Sequence, residues 1–394
     1  MKKITRSFIA VFMAMLMALG LSLSVSAAAA DDFSAPADYT LRFNEDGKFK
    51  LIIFSDCQDF VLADARMLKF MEAAVEAEQP DLAVFLGDNL VQPVAFLHEQ
   101  AARTLMAPLA KRGIPFAYVF GNHDAERISK ELIHKSFLKS GATCLTYDAA
   151  PDITGFGNCN LPILASGSDE IAFNLWMTDS NMYDEVNGGY DYVHEDQIAW
   201  YQQTSQALEA QAGHKVNSLM FQHIILPEIF DCMVPATQED ENAVQYNGQF
   251  YLRQLLDENN ISTEHFGEKP APSKTNSGFF SAIVERGDVL GIATGHDHIN
   301  SFIARKDGID LIQVSGMSFS SYGDEAIRGY RTITLDESDT TSYETEVHTY
   351  KEYYPDENRM NVAFELVKGY LQELFKIFNT LMKTITNIIK IAKK

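Results

Sequence analysis

The residues best suited to chemistry in this 394-residue chain are two histidines one position apart, in the stretch 294–300 (Thr-Gly-His-Asp-His-Ile-Asn). His296 and His298 follow an apolar run of strand type, and imidazoles with this spacing at a strand end can face two neighbouring metal ions. A metal centre needs further donors, and polar residues upstream supply them. They are, in chain order, Asp56, Gln58, Asp88, Asn122, His123, Asp124 and His223.

Carboxylate, amide and imidazole groups together make a donor set for two ions. Asp88 is the predicted bridge, because one shared carboxylate can hold two cations a few ångströms apart. The other predicted ligands are Asp56, Gln58 and His298 at the first ion and Asn122, His223 and His296 at the second. Mixed donors favour manganese, iron or zinc over calcium, which prefers an all-oxygen shell. Two such ions polarise a phosphoryl oxygen and acidify bound water, so the set predicts a two-metal phosphoesterase.

Two residues beside the predicted ligands are predicted to be catalytic. His123 follows Asn122, which places its imidazole to donate a hydrogen bond to phosphate and to protonate the leaving oxygen. Asp124 completes the same Gly-Asn-His-Asp motif. The remaining histidines lack glycine or carboxamide neighbours and are predicted to be structural or solvent-facing: His98, His134, His194, His214, His265 and His348.

The elements that must position these residues repeat along the chain. Apolar runs at 49–54, 82–86 and 115–120 read as strands, and each is followed by one of the predicted ligands, Asp56, Asp88 or Asn122. Helical spacing at 62–77 and 94–111 separates the three strands. The carboxyl ends of parallel strands are where α/β proteins bind ligands. The regular spacing therefore predicts that the three side chains meet at one sheet edge.

The rest of the chain follows a less regular pattern. The sequence predicts strands at 171–178, 216–222 and 288–293, a helix ending near Leu208, a surface excursion at 235–247, a helix at 249–257 and antiparallel strands towards residues 335 and 344–350. The strand at 216–222 leads to His223 and the strand at 288–293 leads to the histidine pair.

Cysteines offer little to the chemistry. Cys57 lies between two predicted ligands, but side chains alternate along a strand, so a buried apolar role is favoured over a thiolate ligand. Cys144 with Cys159 is the only pair considered for a disulfide, because the four cysteines are too scattered for a disulfide scaffold.

The amino terminus predicts export. Basic residues come first, an apolar run extends from Phe8 to Val25, and alanines 27–30 precede Asp31. This order is typical of a secretory signal peptide over residues 1–30. A retained membrane helix is the alternative, because the run is long enough to cross a bilayer. The small residues before Asp31 and the lack of basic residues after them favour cleavage.

The charge of the chain excludes one class of partner. The formal net charge is −22, and removing Lys2, Lys3 and Arg6 with the signal peptide makes it −25. A surface of that sign repels nucleic acid and anionic lipid at long range and favours a soluble monomer. Nucleic acid is therefore not an expected partner, and a phosphate ester is.

The carboxyl-terminal segment differs from the acidic body. After Leu371 apolar residues recur with helical spacing, while Lys376, Lys383 and Lys390 repeat every seventh residue on the opposite face. The pattern predicts a basic amphipathic helix at 371–394. Two roles stay open: packing on the body or on a second copy, and peripheral contact with an anionic membrane.

The motifs also carry a family resemblance. Asp-x-Gln, Gly-Asp-Asn, Gly-Asn-His-Asp, the single histidine at 223 and Gly-His-Asp-His resemble the five motifs of the calcineurin-like metallophosphoesterase superfamily, over residues 49 to about 335. Segments at 189–192, 197–201, 223–228 and 276–280 resemble the branch with fungal cell-cycle-regulator phosphatases and plant purple-acid-phosphatase-like proteins. The resemblance implies an α/β fold, a four-layer α/β/β/α sandwich of two mixed sheets flanked by helices, to which the carboxyl-terminal amphipathic helix is added.

Residue patterns and the resemblance together give a domain plan. It comprises a signal peptide at 1–30, a lead-in at 31–48, the metallophosphoesterase domain at 49–350, a linker or helix start at 351–370 and the amphipathic helix at 371–394. Two positions depart from the family pattern. Gln58 replaces the usual histidine, and its amide oxygen is a weaker donor to zinc or iron, which bears on the affinity or identity of the first ion. Val91 stands where purple acid phosphatases have a tyrosine iron ligand, so we expect no purple colour.

Three functions are weighed on this basis. The resemblance favours an exported phosphatase that hydrolyses phosphomonoesters by attack of a hydroxide held on two metal ions. A phosphodiesterase with the same centre is the nearest alternative, since the motifs do not separate the two and specificity would lie in loops such as 179–195 and 235–247. A phosphate- or metal-binding protein with a decayed site is the third, and it is motivated by Gln58.

Overall fold

The computed structural model describes residues 33–36, 39–58, 63–92 and 95–356, together with Phe378 and Met382. The predicted signal peptide lies outside these residues, and so does the predicted helix at 371–394 apart from those two positions. Within the described ranges, no helix combines the length and the apolar character needed to cross a membrane.

Strands and helices alternate through most of the described chain. The strands are β1 Leu41–Arg42, β2 Lys48–Phe54, β3 Leu82–Phe85, β4 Phe116–Tyr118, β5 Cys159–Leu164, β6 Ile171–Met177, β7 Ser218–Phe221, β8 Met233–Ala236, β9 Val244–Tyr246, β10 Gln249–Leu255, β11 Asn260–Phe266, β12 Val289–Thr294, β13 Asn300–Lys306, β14 Ile309–Gln313, β15 Gly329–Asp336 and β16 Asp339–Thr349. The helices are α1 Ala65–Glu78, α2 Ala95–Leu105, α3 Ala107–Ala110, α4 Lys130–Leu138, α5 Glu195–Ala212, α6 Phe279–Arg286 and α7 Tyr350–Tyr353, with a 3₁₀ helix at Pro227–Cys232.

Two large mixed sheets organise the molecule. One has five strands in the order β16-β15-β2-β3-β4. In it β2, β3 and β4 run parallel, β15 is antiparallel to β2, and β16 is antiparallel to β15. The other has eight strands in the order β1-β5-β6-β7-β12-β14-β13-β11, with β6, β7, β12 and β14 parallel. The predicted ligands follow parallel strands of both sheets: β2, β3 and β4 in one and β7 and β12 in the other.

The two sheets share one hydrophobic core. Leu51 and Ile53 of β2 belong to the same buried cluster as Phe173 and Leu175 of β6 and Phe221 of β7. Because successive side chains of a strand point to opposite faces, these alternate residues define the inner face of each sheet. The inner face is fully buried on the central strands, which explains why these strands are apolar runs.

Helices cover the two outer faces. Phe70 of α1 contacts Tyr330 of β15 with ring centroids 5.6 Å apart, on the five-stranded sheet. Trp176 of β6 contacts Tyr201 of α5 with centroids 5.1 Å apart, on the eight-stranded sheet. The order of layers is therefore helix, sheet, sheet, helix, and the predicted four-layer sandwich is confirmed.

The predicted helix at 249–257 is wrong. Residues Gln249–Leu255 form β10, which pairs with β8 and β9 in a small antiparallel sheet. Asn247 and Gly248 join β9 to β10 and both have positive φ, 44° and 84°. Asn-Gly is the sequence preferred for a two-residue hairpin turn of this type, so the local signal for a hairpin was present. The predicted surface excursion at 235–247 contributes to the same sheet.

All four cysteines are buried, and no disulfide joins Cys144 to Cys159. Burial raises the pKa of Cys159 to about 12. Cys57 is 2 % exposed and its Sγ lies 3.9 Å from the carbonyl oxygen of Ser55. These thiols are packing groups.

Candidate metal centre

The candidate centre lies where strands of both sheets end. Asp56, Asp88 and Asn122 follow the parallel strands β2, β3 and β4 of the five-stranded sheet, and His223 and His296 follow the adjacent parallel strands β7 and β12 of the other. Since parallel strands end at the same edge, the donors of each sheet lie along one edge. The shared core packs the two sheets together, so that these two edges lie side by side.

Three predicted ligands have a left-handed backbone. The φ angles of Asp56, Asp88 and His296 are 51°, 48° and 73°, in a region that residues other than glycine rarely adopt. Each such residue costs of order 1–3 kcal/mol and persists only where the surrounding structure fixes it. Three of the positions that would hold metal therefore have a strained backbone.

The second predicted ion site is the more complete. Donor atoms of Asp88, His223 and His296 all lie within 4.8 Å of one another, and all three residues are buried. The side-chain oxygen of Asn122 lies 3.1 Å from Nε2 of His223. Nδ1 of His223 donates to the carbonyl oxygen of Leu86 at 2.7 Å, which turns Nε2 towards the other donors.

The first predicted ion site contains Asp56, Gln58 and His298. Nε2 of His298 lies 3.2 Å from Oδ1 of Asp56 and 3.2 Å from the side-chain nitrogen of Gln58. The ring of His298 is oriented in the same way as that of His223, because its Nδ1 donates to the carbonyl oxygen of Tyr322 at 2.8 Å. Gln58 therefore lies beside Asp56 and His298, in the position that the usual histidine of the first motif would occupy.

The electrostatics of the site favour cations. Burial acts to raise the pKa of Asp56, but the imidazoles of His298 and His223 lower it far below the usual value of a carboxyl group. Burial acts to lower the pKa of His223 and His298, but the carboxylates of Asp88 and Asp56 raise each pKa to about 9. The carboxylates are thus held ionised, and the protons on His223 and His298 are the positive charge that a bound cation would replace.

The residues present fit a metal centre. The buried Oδ1 of Asp56 faces Nε2 of His298 at 3.2 Å, and an oxygen beside an imidazole nitrogen in a buried position is a donor pair that one cation can share. The imidazoles of His223 and His298 both have a fixed Nδ1 donor bond, which is the usual arrangement of metal-binding histidines. We conclude that the donor set suits borderline transition metals.

Two glycines allow the loops to approach this closely. A Cβ added at Gly121 would lie 2.2 Å from Oδ1 of Asp88, and one added at Gly295 would lie 1.9 Å from Oγ of Ser55 and 2.9 Å from Oδ2 of Asp56. Atoms cannot approach to these distances. Both positions therefore require glycine, because any side chain there would clash with residues of the centre.

The two predicted catalytic residues differ in their surroundings. His123 is partly exposed, and its backbone N–H donates to Oδ1 of Asp88 at 2.7 Å. Asp124 is buried, and its carboxylate accepts backbone N–H groups of Asn89, Leu90 and Gly121 at 2.8, 3.0 and 2.9 Å. Burial and the charge of Asp88 raise the pKa of Asp124 to about 7. Its contacts make Asp124 a positioning residue that joins the loops after β3 and β4.

Sequence reasoning missed the residues around His123. Oε1 of Glu126 lies 2.8 Å from Nδ1 of His123, and the hydroxyl of Tyr183 donates to the same oxygen at 2.8 Å. The side chain of Asn122 donates to that hydroxyl at 3.1 Å. The spacing of Glu126, three residues after His123 on a tight turn, was the available signal. Tyr183 lies in the loop expected to set specificity.

Tyrosines also cover two of the predicted ligands. Tyr190 meets the ring of His296 edge-on with centroids 4.2 Å apart. Tyr322 stacks on His298 with centroids 4.1 Å apart and an interplanar angle of 4°. The hydroxyl of Tyr322 donates to Glu268, which gives it the same type of partner that Tyr183 has in Glu126. Aromatic rings therefore form the rim of the centre.

Comparison with known proteins places this geometry in a family. Residues 49–300 match the family model described as calcineurin-like phosphoesterase. A protein of Arabidopsis thaliana named "Probable inactive purple acid phosphatase 14" is 32 % identical over 329 residues, which cover 72 % of this chain and 74 % of the relative. Phosphatase DCR2 of Saccharomyces cerevisiae is 25 % identical over 297 residues, 68 % of this chain and 47 % of its own. The structure of a dimetal phosphatase from Danio rerio aligns over 77 % of this chain and 99 % of that one, at 14 % identity and a TM-score of 0.45.

Proposed function

Because the chain belongs to the calcineurin-like phosphoesterase family, we propose that it is an exported, metal-dependent phosphatase that hydrolyses phosphomonoesters. The observation that supports this proposal is the convergence of Asp56, Asp88, His223, His296 and His298 at one edge shared by two sheets. Phosphoryl transfer to water requires two adjacent cations and a general acid beside them. The donor set would hold the two cations, and His123 would be the general acid.

The chain's own residues have distinct roles in this proposal. Asp88, which lies with His223 and His296, would hold both cations. Asn122, His223 and His296 would complete one ion site, and Asp56, Gln58 and His298 the other. The bound ions would supply positive charge to the phosphoryl oxygens and lower the pKa of a water ligand.

His123 is the proposed general acid. Its ring is partly exposed at the mouth of the site, and Glu126 accepts from Nδ1 at 2.8 Å, which leaves Nε2 to face a substrate. A proton held on Nε2 would pass to the leaving alkoxide oxygen of the ester. Asp124 and the glycines at 121 and 295 keep the loops in place and do not contact the substrate.

The decisive experiment is turnover with defined metals. The purified chain, stripped of metal and then supplied with manganese, iron or zinc, is assayed with 4-nitrophenyl phosphate and with bis(4-nitrophenyl) phosphate. We expect metal-dependent release of nitrophenol with preference for the monoester. Asp88→Asn is the matched negative control and should lose both metals and turnover, since it removes the shared charge. Preference for the diester would make the chain a phosphodiesterase with the same centre.

A binding protein without turnover is the second candidate, and Gln58 is the observation that favours it. The name of the Arabidopsis relative raises the same alternative. Against it, the other ligand positions, His123 and the glycines that admit them are all in place. Fewer than one transition-metal ion per purified chain, together with no hydrolysis after metal addition, would favour the binding protein.

Localisation is proposed from the ends of the sequence alone. We propose that residues 1–30 direct export and are removed, and that the body acts as a monomer outside the cytoplasm.

The basic helix predicted at 371–394 has a formal charge of +4 and would hold the acidic body on anionic lipid. Truncation after Tyr370 should abolish salt-sensitive co-sedimentation with anionic vesicles. Equal behaviour of the two forms would instead assign the helix to packing.

A further inference from the structure

A groove of about 500 Å³ lies beside the candidate centre. Its walls come from the start of α4, from the loop around Phe156 and from the segment 181–191, and they include the rings of Phe156 and Tyr183. Tyr183 is 40 % exposed. The groove is large enough for the organic part of a small phosphate ester.

The groove adjoins the proposed general acid through Tyr183. Tyr183 forms one wall, and its hydroxyl contacts Oε1 of Glu126 at 2.8 Å and Nδ1 of His123 at 3.4 Å. The general acid protonates the oxygen of the departing alcohol, so that alcohol must lie next to His123. The groove is therefore the space that the alcohol part of the substrate would occupy.

The wall that carries Tyr183 is preorganised. Tyr183 and Tyr190 form a backbone bridge, and their rings stack with centroids 6.2 Å apart. Between them, the carboxylate of Asp184 accepts the backbone N–H groups of Val186 and Asn187, both at 2.8 Å. A loop fixed by its own hydrogen bonds presents the tyrosine ring to a ligand without an added ordering cost.

The charge of the groove is negative. Among the described residues, the carboxylates of Glu131, Glu185 and Asp191 line it, and Asp191 is paired with His194 at 3.0 Å. Lys130 also lines it and is paired with the buried Asp179. A second phosphate or a carboxylate on the alcohol would be repelled here. A cation would meet carboxylates at close range and aromatic rings that attract positive charge.

We propose that this groove binds the alcohol part of the substrate and selects alcohols that carry a positive charge, of the quaternary or primary ammonium type. The proposal rests on the phosphatase function proposed above and assigns it a substrate class: phosphate monoesters of small amino alcohols. Tyr183 and Glu185 are the specificity-determining residues: the ring of Tyr183 and the negative charge of Glu185 would both attract the cationic group of the alcohol.

The test uses two ligands that differ in charge and not in shape. They are 3-(trimethylammonio)propylphosphonate and 4,4-dimethylpentylphosphonate, whose carbon–phosphorus bonds are not hydrolysed. Their affinities for the metal-loaded full chain are measured by calorimetry. We expect the cationic ligand to bind about tenfold more tightly, the size of one cation–aromatic contact with charge assistance. We expect that ratio to fall towards one in Tyr183→Leu and Glu185→Gln.

Two further measurements separate this proposal from its neighbours. Tyr183→Phe keeps the ring and should retain most of the preference, whereas Glu258→Gln removes an exposed carboxylate that does not line the groove and should leave the ratio unchanged. Equal affinity of the two phosphonates for the parent chain overturns the proposal even if 4-nitrophenyl phosphate is hydrolysed. A cationic preference without any hydrolysis supports the groove and contradicts the phosphatase function.

Discussion

At the scale of single residues, the candidate centre separates groups that would hold metal from groups that would act on the ester. His223 and His296 are buried with Asp88, while His123 is partly exposed and uses only its backbone N–H to contact that carboxylate. Under the proposed function, an imidazole in that position would contribute to proton transfer and not to metal affinity.

We therefore expect His123→Ala to lower turnover by about a hundredfold to ten-thousandfold, the usual effect of losing a general acid. Metal content, measured by elemental analysis of the purified variant, should stay close to that of the parent. A parallel loss of metal would show that His123 is a ligand.

The amide at position 58 leads to a second residue-scale prediction. Its side-chain nitrogen lies 3.2 Å from Nε2 of His298, and turning the amide by half a rotation would place its oxygen at that distance. Gln58→His should tighten the first metal site, because imidazole is the better donor to borderline cations. The measurement is the metal dissociation constant from competition with a coloured chelator.

Gln58→Leu is the matched control, since it keeps the approximate size of the side chain and removes its donor. If the leucine variant, the histidine variant and the parent all bind manganese and zinc equally, Gln58 lies outside the coordination sphere.

At the scale of elements, the centre depends on how closely the ends of β3 and β4 approach. Gly121 has no room for a methyl group, because its Cβ would lie 2.2 Å from Oδ1 and 2.3 Å from the backbone nitrogen of Asp88. Gly121→Ala should displace Asp88, abolish binding of both metals and destabilise the fold by about 1–3 kcal/mol, as overpacking does.

Gly167→Ala is the control for that variant. Nothing lies within 4 Å of a Cβ added at Gly167, so its free energy of unfolding should change by less than about 0.5 kcal/mol. Thermal unfolding and metal content are measured for both. Full metal binding by Gly121→Ala would contradict the steric argument.

The same strand ends show how much could be read from the sequence. Apolar runs fixed the positions of β2, β3 and β4, and the residues after them were correctly expected to meet, since parallel strands end together. Helix spacing could not identify β10, where an Asn-Gly turn outweighs the local pattern. The contact of Tyr183 with Glu126 joins residues 57 positions apart, and no local pattern encodes such a pair.

At the scale of the whole molecule, the packing of two sheets creates both the centre and the stability that supports it. Backbone strain at Asp56, Asp88 and His296 persists because the strands before these residues are buried in one shared core. Polar groups inside such a core must be neutral or paired. The same rule applies beneath the covering helix α4, where His134 is 1 % exposed and its Nδ1 lies 2.7 Å from the hydroxyl of Tyr118.

The final prediction follows from that buried imidazole. Burial lowers the pKa of His134 to about 4, from an ordinary value of 6.5. Between these values the unfolded chain binds a proton that the native chain does not, so the free energy of unfolding falls as the pH is lowered through this window. The loss attributable to His134 is about 1 kcal/mol between pH 7 and pH 5.5. Urea unfolding in the presence of a chelator should therefore show a shallower dependence on pH in His134→Gln than in the parent. His214→Gln, which changes an exposed histidine, should keep the parental slope. Equal slopes in all three proteins would show that His134 is protonated in the native state or reached by water, and its burial would not be a source of acid sensitivity.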